Sequence, residues 1–402
     1  MKKSQKRKYN VLWIVVDALR ADHVSALGYR HKTTPQLTRL AAESLVFTHA
    51  YSQSSATMFS IPSMLAGLNP ENMRWWERKN HPQVHNEHEL FPERLVALGY
   101  RRGVILTSYL IGQYPGLQQG FADVYNIYLD GHPNPWAKRA SPISLSKSID
   151  FLHGDPKFET DSAKPFFLLS YFDDPHSPYE KHAEDGISGM GKGKRGAYNQ
   201  EILLADRNLG SLLDHLRYKP HVWDNTIVIV TADHGEEFRE RGHTLHSRTC
   251  YVESTHVPLF VRIPGIARQR IHTSVALADL LPTLVELLDL KLKPGEVLDG
   301  KSLLIPALAP GRVDPARPIF CSILPQLRYM GNFSRRSVRS GKWALMKDDI
   351  AGTVELYDTF LDPAEKKSLA TNHAFDDVVA RLTRFLTTNE RGNMRSANWV
   401  RD

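Results

Sequence analysis

The stretch Thr226-Ile-Val-Ile-Val-Thr-Ala-Asp-His-Gly-Glu236 decides the fold. A short β-branched run closed by a glycine-containing turn reads as a buried strand ending in a loop. Asp233 and His234 then stand just past the carboxyl end of that strand, where open α/β sheets place their ligands. The pattern recurs near the start of the chain, where Asn10-Val-Leu-Trp-Ile-Val-Val16 runs into Asp17. Two strands that deliver an aspartate, and an aspartate with a histidine, to one sheet edge predict a divalent-metal site.

Working outward, the first two-thirds of the chain alternates strand-like and helix-like segments, as in a largely parallel sheet flanked by helices. Strands are expected at 45–50, 102–107, 165–172 and 256–262, and helices at 34–43, 61–68, 91–98, 198–216 and 275–290. Gly186–Gly196 is glycine-rich and basic and reads as a mobile surface loop, with a cover over the site as the lesser alternative. It lacks the strand and the Ser/Thr of a phosphate-binding loop. Proline-rich residues 305–318 read as a linker. Beyond them, strands near Phe320 and at 342–346 and a helix at 376–386 predict a small α+β appendage. The division expected is a basic tail 1–8, a catalytic domain 9–310 and a C-terminal α+β subdomain 311–402. The fold class is α/β, a large mixed sheet, mostly parallel, sandwiched by helices.

A chain of 402 residues with 42% hydrophobic and 24% charged residues has the balance of a globular enzyme rather than a disordered chain. The formal charge of +7 suits an anionic substrate or a surface near acidic lipid. The basic residues are scattered and no nucleic-acid motif appears, so no nucleic-acid partner is expected. Val11–Val16 is too short to span a membrane, and no stretch reads as a signal peptide. A cytoplasmic location is expected, or a periplasmic one if the chain is cut from a membrane-anchored parent. The two cysteines, Cys250 and Cys321, could pair, but nothing in the sequence requires it.

Metal-assisted hydrolysis of charged esters needs ligands for the cation, a nucleophile that the cation can deprotonate, and groups that hold the spectator oxygens. Asp17, Asp233 and His234 answer the first need. Ser54-Ser-Ala-Thr-Met-Phe-Ser60 precedes a helix, whose N-terminus stabilises a developing anion. Thr57 is a nucleophile candidate there, and spacing alone leaves Ser54, Ser55 and Ser60 open. Hydroxyls at such positions also serve as helix caps. His243 reads as a loop residue, and His256 as packing beside its strand. Trp75-Trp76 with His81, His85 and His88 fits no closed zinc site.

The chain resembles the sulfatase branch of the alkaline phosphatase superfamily from about residue 9 to about 370. Asp17-Ala-Leu-Arg-Ala-Asp-His23, Thr34-Pro35 with the following helix, and Thr231-Ala-Asp-His-Gly-Glu-Glu237 carry the resemblance. So do Val257-Pro-Leu-Phe-Val-Arg-Ile-Pro-Gly265, Asp279-Leu-Leu-Pro-Thr283, Val338-Arg-Ser-Gly-Lys-Trp343 and Glu355-Leu-Tyr-Asp358. They stand in the family's order. The resemblance implies an alkaline phosphatase-like fold. The family's nucleophile lies ten residues before the glycine that closes the next helix, with a serine three residues on. Counted from Gly67, that implies Thr57 as nucleophile and Ser60 as a substrate contact. It further implies Asp17, Thr57, Asp233 and His234 as the metal site. His176 and His246 are implied as catalytic, substrate-contacting histidines, with Asp173 or Asp174 toward a second cation.

Departures from the family pattern are chemical. Sulfatases carry a Cys or Ser, converted to formylglycine, in a Cys/Ser-x-Pro-x-Arg signature. Here Thr57, Phe59 and Ile61 occupy those places, and a threonine cannot become that aldehyde. Ala18 removes a second carboxylate, and His234 stands where many sulfatases have asparagine. A nitrogen ligand favours zinc or manganese, one or two ions, over calcium or magnesium. The family's active-site lysine has no clear counterpart around Ser108–Gly112. The expected function is therefore a metal-dependent hydrolase or transferase of phosphate mono- or diesters, including phosphonates or phospholipid head groups. The alternatives are a sulfatase in the broad sense and a non-catalytic protein that binds anionic lipid.

Overall fold

The computed structural model describes residues 8–76, 82–107, 115–127, 140–157, 160, 163–324, 334–389 and 399–400. The tail before Lys8, His81 and the segment around Ser108–Gly112 lie outside these residues.

Continuous apolar runs form the centre of a nine-stranded sheet. Strand β1 (Asn10–Val16), β2 (Leu45–Tyr51), β3 (Arg101–Leu106), β4 (Asp123–Asn126), β5 (Phe166–Phe172), β6 (Thr226–Thr231), β7 (His256–Arg262) and β8 (Gln269–Ile271) lie in the order β8-β2-β7-β6-β1-β5-β3-β4. A ninth short strand, Val275–Ala276, pairs with β2. All pairs are parallel except those of β7, which runs antiparallel to both β2 and β6. β1 is central and wholly buried. A strand covered on both faces needs no polar alternation, which is why it reads as an unbroken hydrophobic run. Each of its large side chains contributes about 1.5–3 kcal/mol on burial. Because β1, β2, β5 and β6 run parallel, the loops after all four open at one edge.

Helices α1 (Pro35–Ala41), α2 (Thr57–Ala66), α3 (Ala140–His153), α4 (Gly193–Arg217) and α5 (Leu280–Leu288) flank the sheet. A smaller antiparallel sheet of β9 (Ile319–Ile323), β10 (Arg335–Ser340), β11 (Trp343–Asp348) and β12 (Thr353–Asp358) packs under α6 (Asp376–Thr388).

Several expectations shift. The last four residues of the glycine-rich segment are not loop but the first turn of α4. The remainder packs beside residues 20–31, where Asn199 Nδ2 donates to the Met190 carbonyl. The helix expected from residue 275 begins at Leu280, because the Asp279 carboxylate accepts from Ala276 N and Lys301 N and holds the preceding residues as strand and turn. The 91–98 helix is a single turn, Phe91–Arg94. Within the linker, Leu304–Leu308 is helical. Trp75-Trp76 pairs with Gln83-Val84 as a short hairpin. Among the described residues, no helix is long and apolar enough to cross a membrane.

Candidate metal centre

Asp17 follows β1, and Asp233 and His234 follow the adjacent β6. Parallel pairing of the two strands, Val15 opposite Thr231, sets their side chains side by side. One ligand atom from each lies within 4.8 Å of the others, and all three residues are buried. Gly235 lets the next turn form: a Cβ there would sit 2.1 Å from the Glu253 carbonyl oxygen. Asp17 Oδ1 is buried without a hydrogen-bond partner, as is Asp173 Oδ1. Burial first, and then the charges of Asp233 and Asp173, raise the Asp17 pKa well above the carboxylate range. Buried carboxylates this close need a cation or a proton. The donor set of two or three carboxylate oxygens with an imidazole nitrogen fits a divalent ion.

Hydrogen bonding fixes the histidine. His234 Nδ1–H donates to the Gly235 carbonyl at 2.9 Å, so Nε2 carries the lone pair. Burial, the leading cause, holds its pKa down at about 4 and keeps the ring neutral. The Thr57 hydroxyl donates to that Nε2 at 3.0 Å. Thr57 is the first residue of α2, and the Ala56 N-cap supplies no side-chain bond. Gly67, in the left-handed region at φ 67°, closes the helix ten residues later.

The neighbouring hydroxyls are engaged elsewhere. Ser54 Oγ accepts from Ala56 N, Ser55 Oγ donates to the Thr249 carbonyl, and Ser52 and Ser60 both donate to the Asp233 carbonyl. Ser60, expected to contact substrate, is fully buried and supports the loop that carries Asp233. Asp173 faces Asp17, whereas Asp174 accepts from Ser141 N at the start of α3.

Three imidazoles stand in a row. The His234 and His246 rings stack at 4.2 Å, and His246 meets His176 edge-on at 4.9 Å. His246 Nδ1–H donates to Glu236 Oε1, and His176 Nδ1–H to the Ser177 carbonyl. Burial, then the His176 charge, lowers the His246 pKa to about 3. His243 is exposed, and His256 Nε2–H donates to the Thr48 carbonyl away from this row.

Sequence reading missed four participants. Tyr171 Oη donates to Asp233 Oδ2 at 3.1 Å, and Tyr179 Oη to Glu236 Oε2 at 2.8 Å. Glu236 orients His246. Arg248 stands near enough to His246 to depress its pKa, and its Nε is buried without a hydrogen-bond partner. The available signals were a lone hydroxyl in the apolar β5 run and a carboxylate inside the Asp-His-Gly-Glu turn.

A family model described as Sulfatase matches residues 9–290. N-acetylgalactosamine-6-sulfatase of Homo sapiens is 26% identical over 77% of this chain and 67% of its own length. Choline-sulfatase of Rhizobium meliloti is 22% identical over 98% of this chain and 87% of its own. The crystal structure of the phosphonate monoester hydrolase of Agrobacterium radiobacter matches with TM-score 0.72 and 19% identity over 95% of both chains, a likeness of fold.

Proposed function

The chain belongs to the sulfatase family, and from that premise we propose that it is a metal-dependent hydrolase or transferase of anionic phosphate esters, with Thr57 as nucleophile. The observation that carries the reading is the Thr57 hydroxyl held 3.0 Å from His234 Nε2 beside the Asp17–Asp233–His234 cluster.

Asp17, Asp233 and His234 would hold the cation, with Asp173 facing the same cluster. When bound, the cation supplies positive charge that lowers the Thr57 pKa and balances negative charge on the ester. The nitrogen ligand favours zinc or manganese over calcium or magnesium.

Thr57 Oγ1 attacks phosphorus in line and the ester oxygen departs, leaving a phosphothreonine. Water clears it in a hydrolase; a sugar or lipid hydroxyl does so in a transferase. His246, aligned by Glu236, and His176 face the entering and departing oxygens. Arg248, with a donor to spare, clamps the spectator oxygens.

The family supports the second reading, sulfate-ester hydrolysis. The formylglycine route does not fit it: Thr57 carries a β-methyl group, and both cysteines lie in a different cluster. The lipid-binding reading without catalysis is not favoured, because a binding protein has no use for an aligned hydroxyl and ligand set. The test is a side-by-side assay of nitrophenyl phosphodiester and nitrophenyl sulfate with wild type and Thr57→Ala. Phosphodiester turnover lost in the variant supports the proposal. Turnover that survives the substitution, or sulfate turnover alone, overturns it.

A further inference from the structure

The two cysteines of the chain, about seventy residues apart in sequence, meet at the boundary between the large sheet and the C-terminal sheet. Cys250 ends the loop that carries His246 and Arg248. Cys321 is the middle residue of β9. The two thiols touch inside one apolar cluster with Ile323, Ala344, Met346 and Tyr357. Both are free and buried. Their surroundings differ. Cys250 lines a cleft of about 170 Å³ together with Arg241, Arg335 and Lys347, and its thiol donates to the Arg335 carbonyl at 3.6 Å. Cys321 does not line that cleft.

We propose that Cys250 and Cys321 are a disulfide-forming pair, oxidised by a small disulfide of the glutathione class that enters the cleft beside Cys250. Asp348 and Glu355 line the cleft too, and Arg241, Arg335 and Lys347 are paired with Glu253, Asp348 and Asp349, so the cleft offers access to Cys250 rather than a charge trap. Cys250, as thiolate, attacks one sulfur of the small disulfide and releases one thiol. Cys321 then attacks Cys250 Sγ in the mixed disulfide and releases the second thiol. Two protein thiols lose two electrons; the small disulfide gains them and takes up the two protons as two thiols. Burial pushes the Cys321 thiol pKa up, so the second step is the slow one. The product ties the His246 loop covalently to β9. This inference does not rest on the proposed activity.

The test is to equilibrate the native protein in buffers of increasing oxidised-to-reduced glutathione ratio. Samples are then acid-quenched and alkylated in denaturant, and intact and peptide masses are read. The expected result is a species lighter by about 2 Da that takes up no alkylating reagent, with the Cys250 and Cys321 peptides linked. Cys321→Ala should stop at a glutathione adduct on Cys250, and Cys250→Ala should leave Cys321 unmodified. Two alkylatable thiols at every ratio, a lasting adduct in the wild type, or a disulfide-linked dimer of chains would each overturn the proposal. The wild-type measurement decides even if a variant fails to fold.

Discussion

Two sets of buried carboxylates make opposite use of charge. At the edge of the large sheet, Asp17 and Asp233 lie together, and among the described residues only His234, neutral at its depressed pKa, stands within ion-pair distance. At the seam with the C-terminal sheet three buried acids each have an arginine. Arg317 grips Asp279 through two bonds of 2.6 and 2.9 Å, Arg339 pairs with Glu365, and Arg241 Nε meets Glu253 at 2.9 Å. Charge balanced from within is structural: it joins two bodies and is costly to break from one side. Carboxylates without such a partner suit a cation as their counter-charge.

The largest effect should separate chemistry from folding. Thr57→Ala is expected to lower kcat/KM on a phosphodiester by about 10⁴-fold, roughly 5 kcal/mol, while Tm barely moves. A parallel fall in both would place Thr57 on the structural side. At the seam the outcome should invert. Arg339→Met is expected to cost about 4 kcal/mol in denaturant unfolding, because Glu365 stays buried unpaired, and adding Glu365→Gln should recover much of it. If the double variant is no better than the single one, the pair does not behave as a matched pair.

Metal removal sharpens the contrast. At free ion 100-fold above Kd, the bound cation should add about 3 kcal/mol of stability, visible as a lower Tm after chelation. Without metal, Asp17→Asn should be more stable than wild type at neutral pH. The sign follows from the raised folded-state pKa of Asp17: metal-free wild type loses stability as pH climbs above the ordinary carboxylate value, and the variant does not. With metal the order should reverse. Identical ranking with and without ion would mean that the cluster holds no cation.

Acid should act through a residue outside both sets. His23 is buried and its pKa is held down at about 4, chiefly by burial. The unfolded chain therefore binds the extra proton between pH 6.5 and 4, and stability falls as pH drops through that window, by up to about 3 kcal/mol. Chemical denaturation at several pH values should show a shallower slope for His23→Gln. The smallest effect concerns Ser60. Removing its bond to the Asp233 carbonyl in Ser60→Ala should cost about 1 kcal/mol with KM unchanged. A raised KM at constant Tm would instead make it a substrate contact.

The large sheet was legible because β1 and β6 are buried on both faces, and their apolar runs stop where Asp17 and Asp233 begin. The C-terminal sheet was only half legible. Two of its four strands, Arg335–Ser340 and Thr353–Asp358, read as polar. Two of the three arginines of the first are nonetheless buried, since Arg336 meets Asp349 and Arg339 meets Glu365. No linear pattern shows that a charge will be matched by a residue far along the chain. The same limit hid Arg248, Tyr171 and Tyr179 from the site. Spacing alone left Thr57 level with Ser54, Ser55 and Ser60; the family register pointed to Thr57, and the structure engages the three serines elsewhere.

The backbone of Ser55 accepts from Ser247 N, and the Ser55 hydroxyl returns a bond to the Thr249 carbonyl. This double stitch makes the threonine turn and the histidine loop a single mechanical piece. The C-terminal sheet clasps that piece through Arg335, which reaches the Arg248 carbonyl. Loosening of the small sheet by warmth or mild denaturant would drag the Thr57 hydroxyl and the His246 imidazole out of register together. Such a chain would fall silent while its central strands were still intact.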